Sequence, residues 1–239
     1  MRSIEEIREE VFEANLYLVR SGLVTFSFGN VSAIDRSRGL VVIKPSGVAY
    51  ERLGAGDMVV TDLDGKTLGG GSLRPSTDLP THLALYRAFP DVGGVAHTHS
   101  RYATAWAQAR RPIPCLGTTH ADHFRGEVPL TDPLADEEIE SAYEFNTGLA
   151  IARRFTSLDP LATPGALVVG HGPFCWGHSA TAAAETSAAL EEIARLAYLT
   201  IGLDPSAGPI PLALSEKHFL RKHGPAAYYG QRRTEPEKD

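Results

Sequence analysis

The sequence is poor in cysteine, in basic clusters and in long apolar runs, and each absence excludes a class of protein. Only Cys115 and Cys175 are present among 239 residues, which excludes a disulfide framework and a thiolate zinc motif. The net charge is -6, and the densest basic cluster, at residues 217–223, is too small to grip a polyanion. No apolar run approaches the roughly 18–20 residues of a membrane span, and the first residues lack a signal-peptide core. We therefore expect a cytoplasmic protein that binds neither nucleic acid nor membrane.

Hydrophobic residues make up 43% of the chain and charged residues 22%, as in ordinary globular proteins that bury a substantial core. Short β-type segments alternate irregularly with helical patterns, and hairpin signals among the early strands argue against a purely parallel sheet. No repeat or long linker divides the chain. We predict one α/β domain over residues 1–231, with a mixed, largely antiparallel sheet covered by helices on both faces, and a disordered charged tail at 232–239.

Local patterns predict most elements of this domain. Ser3 and Glu6 form a capping-box pattern at the start of a first helix that Gly22 ends. Ser100 is expected to cap a helix over residues 102–108. Further strands are expected at 23–28, 40–43, 57–63, 113–119 and 166–170, and further helices at 80–88, 132–154, 179–201 and 214–223.

The segment Gly94-Val95-Ala96-His97-Thr98-His99-Ser100 is the most informative one. It predicts a buried strand that ends in two histidines. Side chains two residues apart on a strand point to the same face, so both imidazoles can reach one metal ion. Two ordinary histidines at a strand end would give the same short pattern, which means that a metal site requires further ligands elsewhere.

Two other residues could supply such ligands. His171 follows a short apolar strand, and Asp78 precedes a predicted helix. Together with His97 and His99 they would form a site of three nitrogens and one oxygen, which suits zinc and also accepts manganese or cobalt. Spacing alone does not bring the four residues together.

Small-residue turns form a third group of candidates. Backbone amides, hydroxyls and a lysine could together hold a phosphate dianion through charge-assisted hydrogen bonds. Taken singly, each of these segments is typical of an ordinary turn. The candidates are Gly29, Asn30, Lys44, Ser46, Gly47, Ser76 and Thr77.

Six short motifs occur in order at spacings compatible with one known family. They are Gly29-Asn30-Val31-Ser32, Lys44-Pro45-Ser46-Gly47, Pro75-Ser76-Thr77-Asp78, His97-Thr98-His99-Ser100, Gly117-Thr118-Thr119-His120-Ala121-Asp122 and His171-Gly172-Pro173-Phe174. Together they resemble the class II aldolase/adducin-head family, over residues of about 13–231. The ending, with Lys217-His218-Phe219-Leu220-Arg221 and Tyr228-Tyr229-Gly230-Gln231, is similar to that of the family's sugar-phosphate epimerases.

The resemblance implies a role for each matching residue. Asp78, His97, His99 and His171 would bind zinc, and the small-residue turns would bind a phosphorylated substrate. Asp122 and Tyr229 would be the acid/base pair, although a loop carboxylate and a packed aromatic ring are equally compatible with the residues alone. Tyr229 and His218 would reach in from a neighbouring subunit of a four-fold homotetramer. Thr77 stands where the family usually has serine, which weakens the phosphate assignment at that position.

The implied reaction interconverts L-ribulose 5-phosphate and D-xylulose 5-phosphate, in arabinose or ascorbate catabolism. The C3–C4 bond would break in a retro-aldol step, glycolaldehyde phosphate would rotate, and the bond would reform. An aldolase that releases its fragments is the nearest alternative, and a non-catalytic scaffold of the adducin type is a more distant one. Asp78 favours the epimerase, because the aldolases typically carry glutamate there.

Overall fold

A computed structural model describes residues 2–69 and 71–229. The strands are β1 (Asn30–Asp35), β2 (Leu40–Ile43), β3 (Val59–Asp62), β4 (Thr67–Leu68), β5 (Gly94–His97), β6 (Gly165–Leu167) and β7 (Pro173–Gly177). The helices are α1 (Ile4–Arg20), α2 (Leu79–Ala88), α3 (Arg101–Gln108), α4 (Thr118–Ala121), α5 (Asp136–Glu140), α6 (Tyr143–Arg154), α7 (Ala180–Leu203) and α8 (Leu212–His223). The tail predicted at 232–239 lies outside the described residues. In the part of the chain that the structure describes, no helix combines the length and apolar character that a bilayer crossing requires.

The seven strands form one sheet in the order β4-β3-β2-β1-β5-β7-β6. Every pairing between these strands is antiparallel, and a parallel contact occurs only as an isolated bridge between Leu130 and Leu167. The predicted α/β class with a largely antiparallel sheet is therefore confirmed. β5 lies near the middle, between β1 and β7, so the strand that carries His97 is supported on both sides.

Successive side chains on each strand point to opposite faces of the sheet. Both faces therefore carry apolar side chains, and helices cover both. Val31 and Ala33 of β1 pack with α1 and the first turns of α7. Val95 of β5 and Trp176 of β7 face the other way and pack with α2 and α6. A third apolar cluster joins α3 to α7 through Trp106. The sheet is thus buried on both sides, which leaves its strand ends as the places where polar side chains can gather.

The start of α3 is stabilised by a residue that is distant in sequence. Ser100 occupies the predicted N-cap position, but its side chain makes no capping hydrogen bond. Instead, the Glu191 carboxylate on α7 accepts hydrogen bonds from the backbone amides of Tyr102 and Ala103, each at 2.9 Å. A carboxylate at this position also interacts favourably with the positive end of the helix dipole. The chain that follows His99 is therefore anchored to α7.

β5 also lies unusually close to the residues that precede α7. A Cβ atom added to Gly93 would stand 2.1 Å from the backbone oxygen of His178, and one added to Gly94 would stand 2.3 Å from that of Ser179. Only glycine fits such a close backbone approach. The position of the histidine-bearing strand is thus fixed by contact with the second half of the chain.

Three predicted elements were wrong, and one strand was missed. Residues 23–28 form turns because Phe26 adopts a left-handed conformation, with φ of 58°. Residues 113–119 contribute only a bridge between Ile113 and Val128 before α4 begins.

The helix predicted at 132–154 begins later and is broken between α5 and α6. The Asn146 side chain donates hydrogen bonds to the Glu138 carbonyl and the Ser141 hydroxyl, which stabilises the break. β7 was missed; its proline stands at the first strand position, where proline is tolerated.

Candidate metal centre and active site

Three histidines meet at one end of the sheet. His97 is the last residue of β5, His99 follows two residues later, and His171 lies in the turn between β6 and β7. One ligand atom from each ring lies within 4.8 Å of the others. The Nε2 atoms of His97 and His99 are 3.0 Å apart, close to the roughly 3.3 Å that separates two nitrogens bound tetrahedrally to zinc. This cluster is consistent with a metal site.

Two of the rings are oriented through their Nδ1 atoms. His97 Nδ1 donates to the Pro173 carbonyl oxygen at 2.9 Å, and the ring stacks on Phe174 with 4.1 Å between centroids. His171 Nδ1 lies 3.2 Å from the Tyr143 hydroxyl oxygen. Both rings therefore keep Nε2 available for an ion, in the way that metal-binding imidazoles are usually held.

Burial keeps the three imidazoles neutral. It lowers the pKa of His97 to about 3, and it also lowers the pKa of His99 and of His171 below the ordinary value. A neutral imidazole offers the lone pair that a metal requires, whereas an imidazolium does not. The donor set of three neutral nitrogens at a cleft fits a catalytic zinc ion, which typically has three protein ligands and an open position.

Asp78 lies beside this cluster at the start of α2, but the ligand atoms that meet within 4.8 Å come from the three histidines. Its Oδ2 atom accepts a hydrogen bond of 2.6 Å from the Asn30 side chain. Burial by itself would raise the pKa of Asp78; His97, His82 and the Asn30 hydrogen bond outweigh it and hold that pKa below its usual range. The carboxylate is therefore ionised at neutral pH. Among the described residues, the Asn30 side-chain oxygen is buried without a hydrogen-bond partner.

A cleft of about 330 Å³ opens beside the histidines. Its lining brings together every residue that the sequence suggests for substrate binding, along with three of the four suggested metal ligands. The lining residues are Ser27, Phe28, Gly29, Asn30, Lys44, Pro45, Ser46, Gly47, Ser76, Thr77, Asp78, His97 and His99.

Two of the small-residue turns are held side by side. The Ser46 amide donates to the Arg74 carbonyl at 3.0 Å, and the Ser76 amide donates to the Lys44 carbonyl at 2.9 Å. Because these two amides are used in the pairing, Ser46 and Ser76 offer their hydroxyl groups to a ligand rather than their backbone.

Lys44 places a buried amine at the cleft. Its Nζ atom donates to the carbonyl oxygens of Pro45 and Val48, at 3.3 and 3.1 Å, and lies 4.7 Å from the centre of the Tyr50 ring. Burial lowers the pKa of Lys44, and no carboxylate among the described residues pairs with it. An anion in the cleft would supply the missing countercharge.

A second polar cluster lies where α4 meets α8. Arg221 donates two hydrogen bonds to the Asp122 carboxylate, at 3.0 and 2.8 Å, and His218 Nδ1 lies 3.1 Å from the same carboxylate. The Arg221 guanidinium also lies 4.6 Å from the centre of the Tyr229 ring. Asp122, His218 and Tyr229 are therefore brought together within one chain. Across residues 2–69 and 71–229, no hydrogen bond links this cluster to the three histidines.

Sequence reasoning missed Arg221 and Tyr143 as members of these clusters. Arg221 could have been found, because it lies three residues after His218 and thus on the same face of α8. Tyr143 had no local signal, since its contact with His171 spans 28 residues.

Comparison with known proteins identifies the family and agrees with the fold. The family model described as "Class II Aldolase and Adducin N-terminal domain" matches residues 9–198. A protein named "L-ribulose-5-phosphate 4-epimerase UlaF" from Salmonella paratyphi C (strain RKS4594) is 55% identical over 229 residues, which cover 96% of this chain and 100% of that protein.

Solved structures show the same fold. The structure titled "L-fuculose 1-phosphate aldolase" superposes with a TM-score of 0.75 at 24% identity and covers 91% of this chain and 96% of its own. YgbL from Escherichia coli, titled "a putative aldolase/epimerase/decarboxylase", has a TM-score of 0.69 at 25% identity, covering 89% and 97%. The chain belongs to the class II aldolase and adducin family.

Proposed function

We propose that this chain is an L-ribulose-5-phosphate 4-epimerase, which interconverts that ketopentose phosphate and D-xylulose 5-phosphate. The observation that carries the proposal is the 55% identity to a protein of that name over the full length of that protein. Since the alignment covers 96% of this chain, the likeness extends beyond the family model, which ends at residue 198.

The reaction requires more than proton abstraction. The hydrogen on C4 of the ketopentose is not adjacent to the C2 carbonyl, so simple deprotonation at C4 gives no stabilised carbanion. Once the C4 hydroxyl has lost its proton, cleavage of the C3–C4 bond instead leaves the electron pair on an enediolate and forms glycolaldehyde phosphate, which stays in the cleft. Rotation of that aldehyde before the bond reforms inverts C4.

The three histidines, with Asp78 beside them, would hold zinc, and manganese or cobalt would suit the same ligands. When bound, the ion supplies Lewis-acid stabilisation of the negative charge that develops on the substrate. Asn30 would hold the Asp78 carboxylate in place through their 2.6 Å hydrogen bond.

The cleft would hold the phosphate group of the substrate. Lys44 supplies a positive charge with no carboxylate partner in the described chain, and Ser46, Ser76 and Thr77 supply hydroxyl donors around it. Gly29 and Gly47 would let the backbone approach the ligand closely. A phosphate that stays bound keeps the aldehyde fragment in the cleft during its rotation, which favours epimerisation over release.

Asp122 and Tyr229 would exchange protons with the C4 oxygen from opposite sides. Burial by itself raises the pKa of Asp122, but Arg221 and His218 outweigh it and hold that pKa below its usual range. The carboxylate is thus ionised at neutral pH, which is the form that can accept a proton. Tyr229 would supply the other proton from its hydroxyl group, with His218 assisting.

Tyr229 and His218 would reach in to a neighbouring subunit's histidines, in a homotetramer with active sites between subunits. Support comes from the absence of a hydrogen bond between the two clusters in the described part of one chain, and from exposed apolar side chains on α7 such as Tyr198 and Leu203. Mixing His97→Asn with Tyr229→Phe protein tests this arrangement. About a quarter of the sites in randomly mixed tetramers would be intact, so two inactive proteins should recover activity together. A mixture that stays inactive after subunit exchange would contradict shared sites.

Carbon NMR with zinc-loaded protein and L-ribulose 5-phosphate tests the activity itself. We expect D-xylulose 5-phosphate to appear, without free glycolaldehyde phosphate, and to stop appearing in a chelator-treated control. Accumulation of dihydroxyacetone and glycolaldehyde phosphate would instead identify an aldolase. The cytoplasmic location remains a prediction from the sequence.

A further inference from the structure

Tyr143 contacts the metal cluster from a different part of the chain. It is the first residue of α6, and its hydroxyl oxygen lies 3.2 Å from His171 Nδ1. The two rings are also stacked, with 6.1 Å between centroids and 28° between planes. Ring stacking and a hydrogen bond at the same pair restrict both the tilt and the rotation of the imidazole.

The start of α6 is held firmly against α2, which fixes where Tyr143 lies. A Cβ atom on Gly148 would stand 2.6 Å from Ala84 Cβ and 2.9 Å from the Thr81 carbonyl oxygen, so the two helices touch at backbone distance. The Thr81 hydroxyl also donates to the Glu144 carbonyl at 2.5 Å. Because α2 begins next to Asp78, these contacts connect Tyr143 to the same end of the sheet as the histidines.

The hydrogen bond between Tyr143 and His171 can run in two directions, and only one of them is compatible with metal binding. Because His171 Nδ1 contacts Tyr143, Nε2 is the nitrogen of this ring that can contribute to the cluster. If Nε2 carries the lone pair, Nδ1 carries the proton and donates it to the Tyr143 oxygen. The reverse sense, in which the phenol donates to Nδ1, would place a proton on Nε2 and block the ion.

We propose that Tyr143 is a positioning residue of the metal centre, whose hydroxyl oxygen accepts the Nδ1 proton of His171 and thereby directs Nε2 toward the ion. The proposal rests on the metal-binding part of the proposed function and is independent of which sugar phosphate is the substrate. Pro173 performs the equivalent task for His97 with a backbone carbonyl, at 2.9 Å. A side-chain hydroxyl at His171 can be removed by mutation, which makes this contact testable.

The experiment is a zinc competition titration against a chromogenic chelator, with wild-type, Tyr143→Phe and Tyr198→Phe proteins. The first variant removes only the hydroxyl that contacts His171, whereas the second removes an exposed hydroxyl on α7. We expect Tyr143→Phe to bind zinc about 10- to 100-fold more weakly, as for other residues that orient metal ligands, and Tyr198→Phe to match the wild type. Affinity of Tyr143→Phe within twofold of the wild type would overturn the proposal.

Nitrogen-15 NMR of the metal-free wild type gives a second readout that needs no variant. His171 should carry its proton on Nδ1; a proton predominantly on Nε2 would overturn the proposal even if Tyr143→Phe fails to fold. Zinc binding without epimerisation would reject the epimerase and leave Tyr143 in its role. Failure of the wild type to bind zinc would reject both.

Discussion

The two polar clusters of this chain are built in opposite ways. The histidine cluster is formed at the end of β5 and in the turn between β6 and β7, and burial keeps its imidazoles neutral. The cluster of Asp122, His218 and Arg221 is formed between a four-residue helix and α8, and the Arg221–Asp122 ion pair and the contact of His218 with Asp122 hold it together. The first is suited to hold a cation at a fixed point, whereas the second is suited to exchange protons.

The difference teaches that metal binding and proton transfer can be altered separately. Substitutions in the histidine cluster should remove the ion together with the activity. Substitutions in the second cluster should remove activity and leave the ion bound, because no hydrogen bond in the described chain joins the two.

The largest effect is expected from His97→Asn. Loss of the central imidazole should abolish stoichiometric zinc and lower turnover by a factor on the order of 1,000 or more, because the ion supplies several kcal/mol of charge stabilisation. Zinc content by elemental analysis and the epimerisation rate are the measurements. His178→Asn, at an exposed histidine, is the matched control and should change neither.

Asp122→Asn should lower kcat by about 10²- to 10⁴-fold, since a positioned acid/base group contributes a factor of that size. Zinc content should remain that of the wild type, which would sharpen the contrast with His97→Asn. The exposed carboxylate of Asp64 offers a control through Asp64→Asn. Loss of zinc from Asp122→Asn would show that the two clusters are coupled after all.

Lys44→Met should act on substrate binding. A hydrogen bond to a charged group contributes about 1.5–3 kcal/mol, so we expect KM to rise about 10- to 150-fold. Steady-state kinetics should show this with zinc content unchanged, and the exposed Lys66→Met should behave as the wild type. An unchanged KM would mean that the buried amine does not face the phosphate.

The smallest effect is expected from His120, which belongs to neither of the two polar clusters. Its Nε2 donates to the Gly126 carbonyl at 2.8 Å, and burial lowers its pKa from 6.5 to about 4. Because the unfolded chain then binds the proton more readily, this histidine stabilises the fold fully above pH 6.5 and progressively less as pH falls toward 4.

Urea unfolding of metal-free protein at pH 7.5 and at pH 5 measures that contribution. His120→Asn should lose about 2 kcal/mol less of its free energy of unfolding between these pH values than the wild type does. Equal losses in the two proteins would contradict the assignment.

Local patterns were sufficient for the parts of the molecule that depend on neighbouring residues. Ser3 and Glu6 form the predicted capping box, and the spacing of His97 and His99 indicated their shared direction. The left-handed Phe26 and the break between α5 and α6 could not be predicted, because each depends on contacts that are absent from the local pattern.

The candidate site shows the same distinction between local patterns and long-range contacts. Motifs identified the residues of the cleft, which the structure then brings together. The contacts of Arg221 with Asp122 and of Tyr143 with His171 arise only when separate helices pack, so residue spacing could not reveal them.

The close approach of β5 to the start of α7 has a consequence for the order of events during synthesis. Gly93 and Gly94 lie against the backbone of His178 and Ser179, and β5 pairs with β7. A nascent chain that has emerged only as far as α6 contains β1, His97 and His99 but neither β7 nor His171. The ion-binding pocket therefore forms only after about three quarters of the chain has left the ribosome, and earlier fragments expose an unpaired strand edge of the kind that promotes aggregation.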